Sequence, residues 1–281
     1  RSGGDEASLD FQKLLFLHCR EQETPAYEFV PYRFGCFSFT SYADKRKLIA
    51  EGLLADDSKR WTLTEDGRRA ARTDGTLALA SGRTAWKHRG LRGDRLVAET
   101  YRLDPYYASR SEMTERLAAS DPALKAAIEA ASPKPGKPGI CTIGYEGRSL
   151  EAYLNLLLRD GVTFLCDVRR NPLSRKYGFS KAALSHACHG VGIRYEHLPE
   201  LGIDSEARKD LQTQADYDAL FADYRRSNLP KQKAPLQRIA AWVAEGHRVA
   251  LTCFERLACQ CHRHCVAEAL ETQFGHRPKH L

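Results

Sequence analysis

Residues that could do chemistry come directly after short apolar segments in the second half of the chain. Asp167 follows one such segment and Glu255 follows another. Two carboxyl groups at the ends of neighbouring strands can act as general acid and base in hydrolysis. We therefore predict Asp167, Glu255, Cys261 and Tyr145 as the catalytic residues.

Cys261 offers a second chemistry. It precedes a predicted helix and has His262 and Arg263 beside it. A helix N-terminus and neighbouring cations favour the thiolate form of a cysteine. Cys261 could therefore be a nucleophile, or a redox thiol with Cys253 as its partner. The opposing interpretation is that both are small, buried and inert cysteines.

Basic side chains near the same strand ends predict an anion site, because guanidinium groups bind phosphate through paired hydrogen bonds. The residues that we assign to substrate or phosphate binding are Arg169, Arg170, Arg263, His262 and Cys253. In the alternative interpretation, the arginines form ion pairs with Asp167 and Glu255 and only fix loops.

The spacing of cysteines and histidines argues against a metal site. Residues 253–265 contain six potential ligands, namely Cys253, Cys259, Cys261, His262, His264 and Cys265. Structural zinc sites favour two separated pairs of ligands, whereas these residues crowd the start of one helix. The sequence therefore predicts no metal ligand and no cofactor.

Alternating strands and helices must position these residues. Beyond residue 139, short apolar segments alternate with helical patterns such as Leu150, Tyr153, Leu154 and Leu157, which share one helix face. This alternation predicts an α/β fold with a three-layer, mostly parallel, Rossmann-like sheet. Ligands of such sheets bind beyond the carboxyl ends of the strands.

Several motifs in this region resemble a known family. They are Thr-Ile-Gly-Tyr-Glu-Gly-Arg-Ser-Leu from position 142, Asp-Val-Arg-Arg-Asn-Pro from 167, Gly-Ile-Arg-Tyr from 192, His-Leu-Pro-Glu-Leu-Gly from 197 and Cys-x-Glu-x5-Cys-His-Arg from 253. With these motifs, residues 139–275 resemble domain of unknown function family 488. The resemblance assigns the domain and brings no activity with it.

The first part of the chain is predicted to form separate structural regions. Residues 8–75 have the pattern of helix, turn, helix and two-stranded wing, which resembles an α+β winged-helix domain. Residues 76–131 are predicted to be a basic helical connector. Residues 132–139 are rich in proline and glycine and form a linker, and residues 140–281 form the α/β domain.

Basic residues of the first part predict nucleic-acid binding, with DNA favoured. A winged helix places one helix in the major groove, and residues 83–95 combine cations with a tryptophan that could stack on a base from a mobile loop. The predicted contacts are Lys45, Arg46, Lys47, Arg83, Trp86, Lys87, Arg89, Arg92 and Arg95. The simpler interpretation is a solvated basic surface without a specific ligand.

Composition limits the class of protein. The chain has 281 residues, of which 42% are hydrophobic, and a net charge of +7, as is typical of globular proteins with about two domains. No apolar run approaches the ~20 residues of a membrane helix. Nine cysteines are an odd number and favour reduced thiols in a cytoplasmic protein. Membrane-spanning and disulfide-scaffold classes are therefore excluded.

Together these patterns predict an enzyme that acts on nucleic acid or nucleotides. We expect a hydrolase of a base, sugar or phosphate linkage, of the DNA repair, modification or defence type. One alternative is a DNA-binding regulator that senses a small anionic ligand. The other is a thiol or sulfur-handling enzyme, which Cys253 and Cys261 favour.

Overall fold

The computed structural model describes residues 4–72, 75–204, 206–208 and 211–281. The chain divides into two compact units, Arg1–Ser132 and Pro133–Leu281. Within the described ranges, the helices are too short or too polar to cross a membrane.

The first unit is mostly helical. Its helices are α1 (Ser8–Arg20), α2 (Phe39–Ala50), α3 (Glu65–Ala70), α4 (Gly75–Lys87), α5 (Asp94–Leu103), α6 (Thr114–Ala118) and α7 (Pro122–Ala131). Its strands are β1 (Asp5–Ala7), β2 (Val30–Tyr32), β3 (Gly35–Phe37) and β4 (Arg60–Thr62). Strand β1 pairs antiparallel with β4, and β2 pairs antiparallel with β3.

The strand that we expected to form a wing pairs elsewhere. Leu54 makes a single β-bridge with Leu63, whereas β4 pairs with β1 near the start of the chain. Arg60 donates two hydrogen bonds to Asp5, at 2.8 and 2.7 Å, and these bonds lower the pKa of Asp5 to about 2. This exposed ion pair joins the two strands, and the winged-helix resemblance stays a prediction.

The helices after residue 75 share a core with those before it. Leu96 of α5 packs against Phe16 and Leu17 of α1. On the same helix, Tyr101 packs with Ile128 of α7. The segment that we expected to be a connector therefore contributes to the core of the first unit.

The second unit is built on a five-stranded sheet. Its strands are β5 (Gly139–Gly144), β6 (Phe164–Asp167), β7 (Arg194–His197), β8 (Arg248–Cys253) and β9 (Lys279–His280). They lie in the order β7-β6-β8-β5-β9, and each neighbouring pair is parallel. The helices are α8 (Leu150–Arg159), α9 (Lys181–Gly190), α10 (Gln214–Asp223), α11 (Lys233–Ala244) and α12 (Arg263–Phe274).

Helices cover both faces of this sheet. On one face, Phe164 of β6 shares a buried cluster with Ile239 of α11 and Val266 of α12. On the other face, Tyr153 of α8 donates a hydrogen bond to Thr252 of β8 at 2.7 Å. The central strands β5, β6 and β8 are largely apolar, as is typical of parallel strands that are buried on both faces. The parallel α/β fold predicted from the alternating pattern is confirmed.

Two local features bring the strand ends and loops together. The hydroxyl of Ser149 accepts from the backbone N–H of Ala152 at 2.9 Å, which begins α8 directly after the loop that follows β5. At the end of β5, a Cβ on Gly144 would lie 1.8 Å from the carbonyl oxygen of Glu255. Glycine therefore lets the loop after β8 cross closely over β5.

Candidate active site

An open cleft of about 310 Å³ lies at the carboxyl edge of the sheet. Residues that follow β5, β6 and β8 line it, as expected for a ligand site of a parallel sheet. The lining includes Tyr145, Arg169, Arg170, Arg175, Cys253 and Phe254. Four residues that we predicted from the sequence therefore meet here, namely Tyr145, Arg169, Arg170 and Cys253.

Arg169 is the centre of a buried hydrogen-bond network beside the cleft. Its side chain is 5% exposed, and its Nε and Nη2 donate to the Asp167 carboxylate at 2.8 and 2.5 Å. Its Nη1 donates to the Tyr145 hydroxyl at 2.9 Å and to the Phe179 carbonyl at 2.8 Å. Tyr195 donates to the same Asp167 carboxylate at 2.7 Å.

This network keeps a positive charge in place despite burial. Burial opposes the charge of Arg169, but the hydrogen bonds and the negative charge of Asp167, together with Tyr145, outweigh burial and raise the pKa of the guanidinium. Burial, followed by the charge of Asp167, also raises the pKa of Tyr195. The Tyr195 hydroxyl therefore stays protonated and donates a hydrogen bond to Asp167. Arg169 is a permanent cation at one wall of the cleft.

Asp167 itself does not line the cleft. It is fully buried, and its oxygens accept from the Arg169 side chain, the Arg169 backbone N–H and Tyr195. A general acid or base has to reach the substrate. The geometry therefore favours the alternative in which Asp167 forms an ion pair and orients Arg169.

Three residues come together at the end of β8. One ligand atom from each of Cys253, Cys261 and His262 lies within 4.8 Å of the other two, and all three residues are buried. The thiol of Cys253 lies 3.8 Å from Nδ1 of His262 and donates to Oε2 of Glu255 at 3.5 Å. A half-buried carboxylate therefore lies beside this cluster.

The orientation of the His262 ring follows from its second nitrogen. Nε2 lies 3.0 Å from the carbonyl oxygen of Val168. Because a carbonyl oxygen only accepts, Nε2 carries the hydrogen, and in the neutral form of the ring the lone pair of Nδ1 faces Cys253. Nδ1 can therefore act as a base or as a metal ligand.

The Cys261 thiol is not activated in the way that we expected. Burial, and next its hydrogen bond with Cys253, raise the pKa of Cys261 to about 12. The helix N-terminus and the neighbouring cations were expected to lower it. This burial argues against the free thiolate that we expected at Cys261, because desolvation disfavours the charged form of a thiol.

Arg263 holds the loop after β8 and does not line the cleft. It is 1% exposed, and its Nη1 and Nη2 donate to the carbonyl oxygens of Glu255 and Arg256 at 2.6 and 3.0 Å. The phosphate-binding role that we predicted for Arg263 does not fit this position. The structure adds Arg175 and Phe254 to the cleft, which no motif had singled out.

Residues 149–270 match a family model described as Domain of unknown function DUF488. The second unit contains a DUF488 domain. The resemblance drawn from the motifs is thereby confirmed, and no curated protein and no solved structure matches the chain. The matched range includes Arg169 and the Cys253, Cys261 and His262 cluster, whereas Tyr145 precedes it.

Outside the DUF488 domain, Lys45 is buried and cannot contact a phosphate. Its Nζ donates to the carbonyl oxygens of Asp57 and Arg60 at 2.7 and 2.6 Å and lies 5.1 Å from the Trp61 ring centre. The nucleic-acid-binding role predicted for Lys45 is therefore replaced by one in fixing the loop before β4. Its neighbours Arg46 and Lys47 are exposed.

The basic segment 83–95 is not one mobile loop. Arg83, Trp86 and Lys87 belong to α4, and Arg95 belongs to α5. Trp86 is 67% exposed, and the guanidinium of Arg89 lies 4.2 Å from the centre of its ring. Two cations are engaged in ion pairs, Lys87 with Glu21 and Arg92 with Glu6.

We expect Asp167→Asn to lower the free energy of unfolding by about 3–5 kcal/mol, because it leaves the Arg169 charge buried without a counter-charge. Urea unfolding of the full chain measures this loss. Tyr195→Phe, which removes one donor to the carboxylate and no charge, serves as the control and should cost less. Adding Arg169→Met to Asp167→Asn should recover part of the loss. A fully stable Asp167→Asn protein would contradict the structural role of the ion pair.

Proposed function

We propose that the DUF488 domain is a hydrolase that acts on nucleotides or nucleic acid, at a base, sugar or phosphate linkage. The observation that carries this proposal is the composition of the cleft. It combines three arginines, Arg169, Arg170 and Arg175, with the aromatic rings of Tyr145 and Phe254. Cations attract phosphate, and aromatic rings stack on bases.

The three arginines have different roles in this proposal. Four of the N–H donors of Arg169 are used within the protein, so this residue attracts an anion mainly by its charge. Arg170 and Arg175 are exposed and can turn their donors towards a phosphate. Arg170 pairs with the exposed Asp204 at 3.0 Å, an ion pair that a bound phosphate would displace.

The aromatic residues supply an apolar wall for a base. Tyr145 is held by stacking on Phe179, with ring centres 4.3 Å apart, and by edge contact with Phe254 at 5.3 Å. Phe254 is 42% exposed, so part of its ring is available to a ligand. A base that stacks there would leave its phosphate near the arginines.

Glu255 is the candidate general base. Its carboxylate is partly exposed and lies beside Cys253, which lines the cleft, whereas Asp167 is fully buried. In this hydrolysis, Glu255 accepts a proton from water while the hydroxyl adds to the electrophilic atom. The proton then passes to the leaving group, so that one water is consumed for each bond broken.

The second candidate function is a thiol enzyme. Cys253 lines the cleft, and its Sγ lies 3.8 Å from the Nδ1 lone pair of His262. This is the arrangement of a nucleophile and its base, with the Val168 carbonyl orienting the ring. In this alternative Cys253, and not Cys261, attacks the substrate.

Binding of DNA by the first unit is part of the proposal. The exposed indole of Trp86 and the exposed cations Arg83, Arg89 and Arg95 support it.

The nine cysteines are free thiols, which supports the proposed cytoplasmic location.

We expect Arg170→Ala and Arg175→Ala each to weaken the binding of AMP and of a 5′-phosphorylated single-stranded oligonucleotide about tenfold, since each removes a charged hydrogen bond. Isothermal titration calorimetry on the full chain measures the affinity. Arg226→Ala is the matched control, because Arg226 is exposed in the same unit and pairs with Asp223. Equal losses in all three variants, or no loss in any, would refute a phosphate site in the cleft.

The two candidate chemistries rank the turnover of two variants, Glu255→Gln and Cys253→Ala, in opposite orders. If Glu255 is the base, Glu255→Gln lowers turnover about 10²–10⁴-fold and leaves the affinity for substrate nearly unchanged. If Cys253 is the nucleophile, Cys253→Ala abolishes turnover and Glu255→Gln is milder. Mass spectrometry of the products formed from nucleosides, nucleotides and oligonucleotides measures the turnover of both variants. The absence of any product with the wild-type protein contradicts the hydrolase proposal.

The first unit has its own test. Changing Arg83, Trp86 and Arg89 together to alanine should weaken binding to duplex DNA and reduce the slope of log K against log salt by about 0.9 for each phosphate that the protein no longer neutralises. Fluorescence anisotropy over a range of salt concentrations measures the slope. Lys125→Ala removes an exposed cation of α7 and should leave the slope nearly unchanged. An unaltered slope in the triple variant means that DNA does not bind here.

A further inference from the structure

The cluster of Cys253, Cys261 and His262 has the composition of a metal site. Two thiols and one imidazole nitrogen lie within 4.8 Å of one another, and all three residues are buried. In the part of the chain that the structure describes, no other three Cys, His, Asp or Glu side chains bring their ligand atoms this close. Sulfur and imidazole ligands together favour zinc over magnesium or calcium.

The distance between Cys253 and His262 is close to that of tetrahedral coordination. With Zn–S near 2.3 Å and Zn–N near 2.0 Å, the sulfur and nitrogen ligands of a tetrahedral ion lie about 3.5 Å apart, and two sulfur ligands about 3.8 Å apart. Cys253 Sγ and His262 Nδ1 are 3.8 Å apart. A zinc ion therefore fits between these two atoms without a large movement of either side chain.

The imidazole is already oriented for a metal. Its Nε2–H donates to the Val168 carbonyl, so that Nδ1 is the nitrogen that faces the thiol of Cys253 and is the one free to bind a metal in the neutral tautomer. Ligating histidines commonly donate their other N–H to a backbone carbonyl in this way, which fixes the tautomer and the ring plane. This bond links the cluster to the residue that follows β6.

We propose that Cys253, Cys261 and His262 bind one zinc ion at the wall of the cleft, with the fourth coordination position open to a water. Three protein ligands and one water are typical of catalytic zinc, whereas structural zinc has four protein ligands. Cys253 is both a ligand and a lining residue of the cleft, so the ion lies next to the space proposed for the substrate.

The catalytic role of this zinc ion rests on the proposed hydrolase function. In that function the ion would supply a metal-bound water. Binding of Zn²⁺ to the two thiols releases two protons. A zinc-bound water then loses a proton more readily than free water, and Glu255 beside Cys253 is placed to receive it. The hydroxide adds to the electrophilic atom of the substrate, and Glu255 returns the proton to the leaving group.

The first test uses the unaltered full chain. After reconstitution with Zn²⁺ and desalting, elemental analysis should find one zinc per chain. X-ray absorption at the zinc edge should show two sulfur atoms at about 2.3 Å together with nitrogen or oxygen at about 2.0–2.1 Å. Zinc present in trace amounts only, or surrounded by oxygen and nitrogen alone, would overturn the proposal.

Variants then assign the ligands. Cys261→Ser should lose the zinc on desalting, and its Co²⁺ form should lack the thiolate-to-cobalt charge-transfer band of the wild type. Cys259→Ser is the matched control, because Cys259 is exposed in the same loop and lies outside the cluster. If Cys259→Ser loses the zinc as well, the ligand assignment is wrong. If Cys261→Ser does not fold, the X-ray absorption spectrum of the wild-type protein still shows whether two sulfur atoms bind the zinc.

The two proposals fail in different ways. If no zinc binds, yet Arg170→Ala still weakens AMP binding, the metal site is wrong and the nucleotide cleft stands. If zinc binds through two sulfurs, yet nucleotides and oligonucleotides neither bind nor react, the metal site stands and the proposed function is wrong.

Discussion

The buried ion pair between Arg169 and Asp167 is the interaction on which the carboxyl edge of the DUF488 domain depends. Two charges leave water here, at a cost that their attraction compensates only when the remaining donors and acceptors are paired. Tyr195, Tyr145 and the Phe179 carbonyl complete that pairing. The end of β6 is thereby locked to β7, to the residue after β5 and to the loop before α9.

A second buried arginine, Arg263, holds the loop after β8 by a different means. Arg263 donates to the carbonyl oxygens of Glu255 and Arg256, and the missing side chain of Gly144 allows this loop to lie against β5. The loop carries Glu255 to the edge of the sheet, next to Cys253. Arg169 therefore supplies positive charge to the cleft, and Arg263 holds the backbone of the loop after β8 in place.

Much of the second unit could be predicted because its signals are local. The central strands β5, β6 and β8 are largely apolar and the helices have apolar faces, since helices cover both sides of a parallel sheet. Candidate residues at the ends of β5, β6 and β8 followed from that alternation. The first unit was harder to predict, because β4 pairs with β1 more than 50 residues away and burial turns Lys45 inward. Neither fact has a signal in the neighbouring sequence.

The sequence by itself determined the DUF488 domain, its parallel sheet and the residue types at the strand ends. Only the tertiary structure decided what those residues face. Asp167 turns to Arg169 and not to the cleft, and His262 meets Cys253 and Cys261 although their spacing argued against a metal. The physical reason is that burial and hydrogen-bond direction depend on distant partners. Tyr195 and the Val168 carbonyl are such partners, brought within reach by folding.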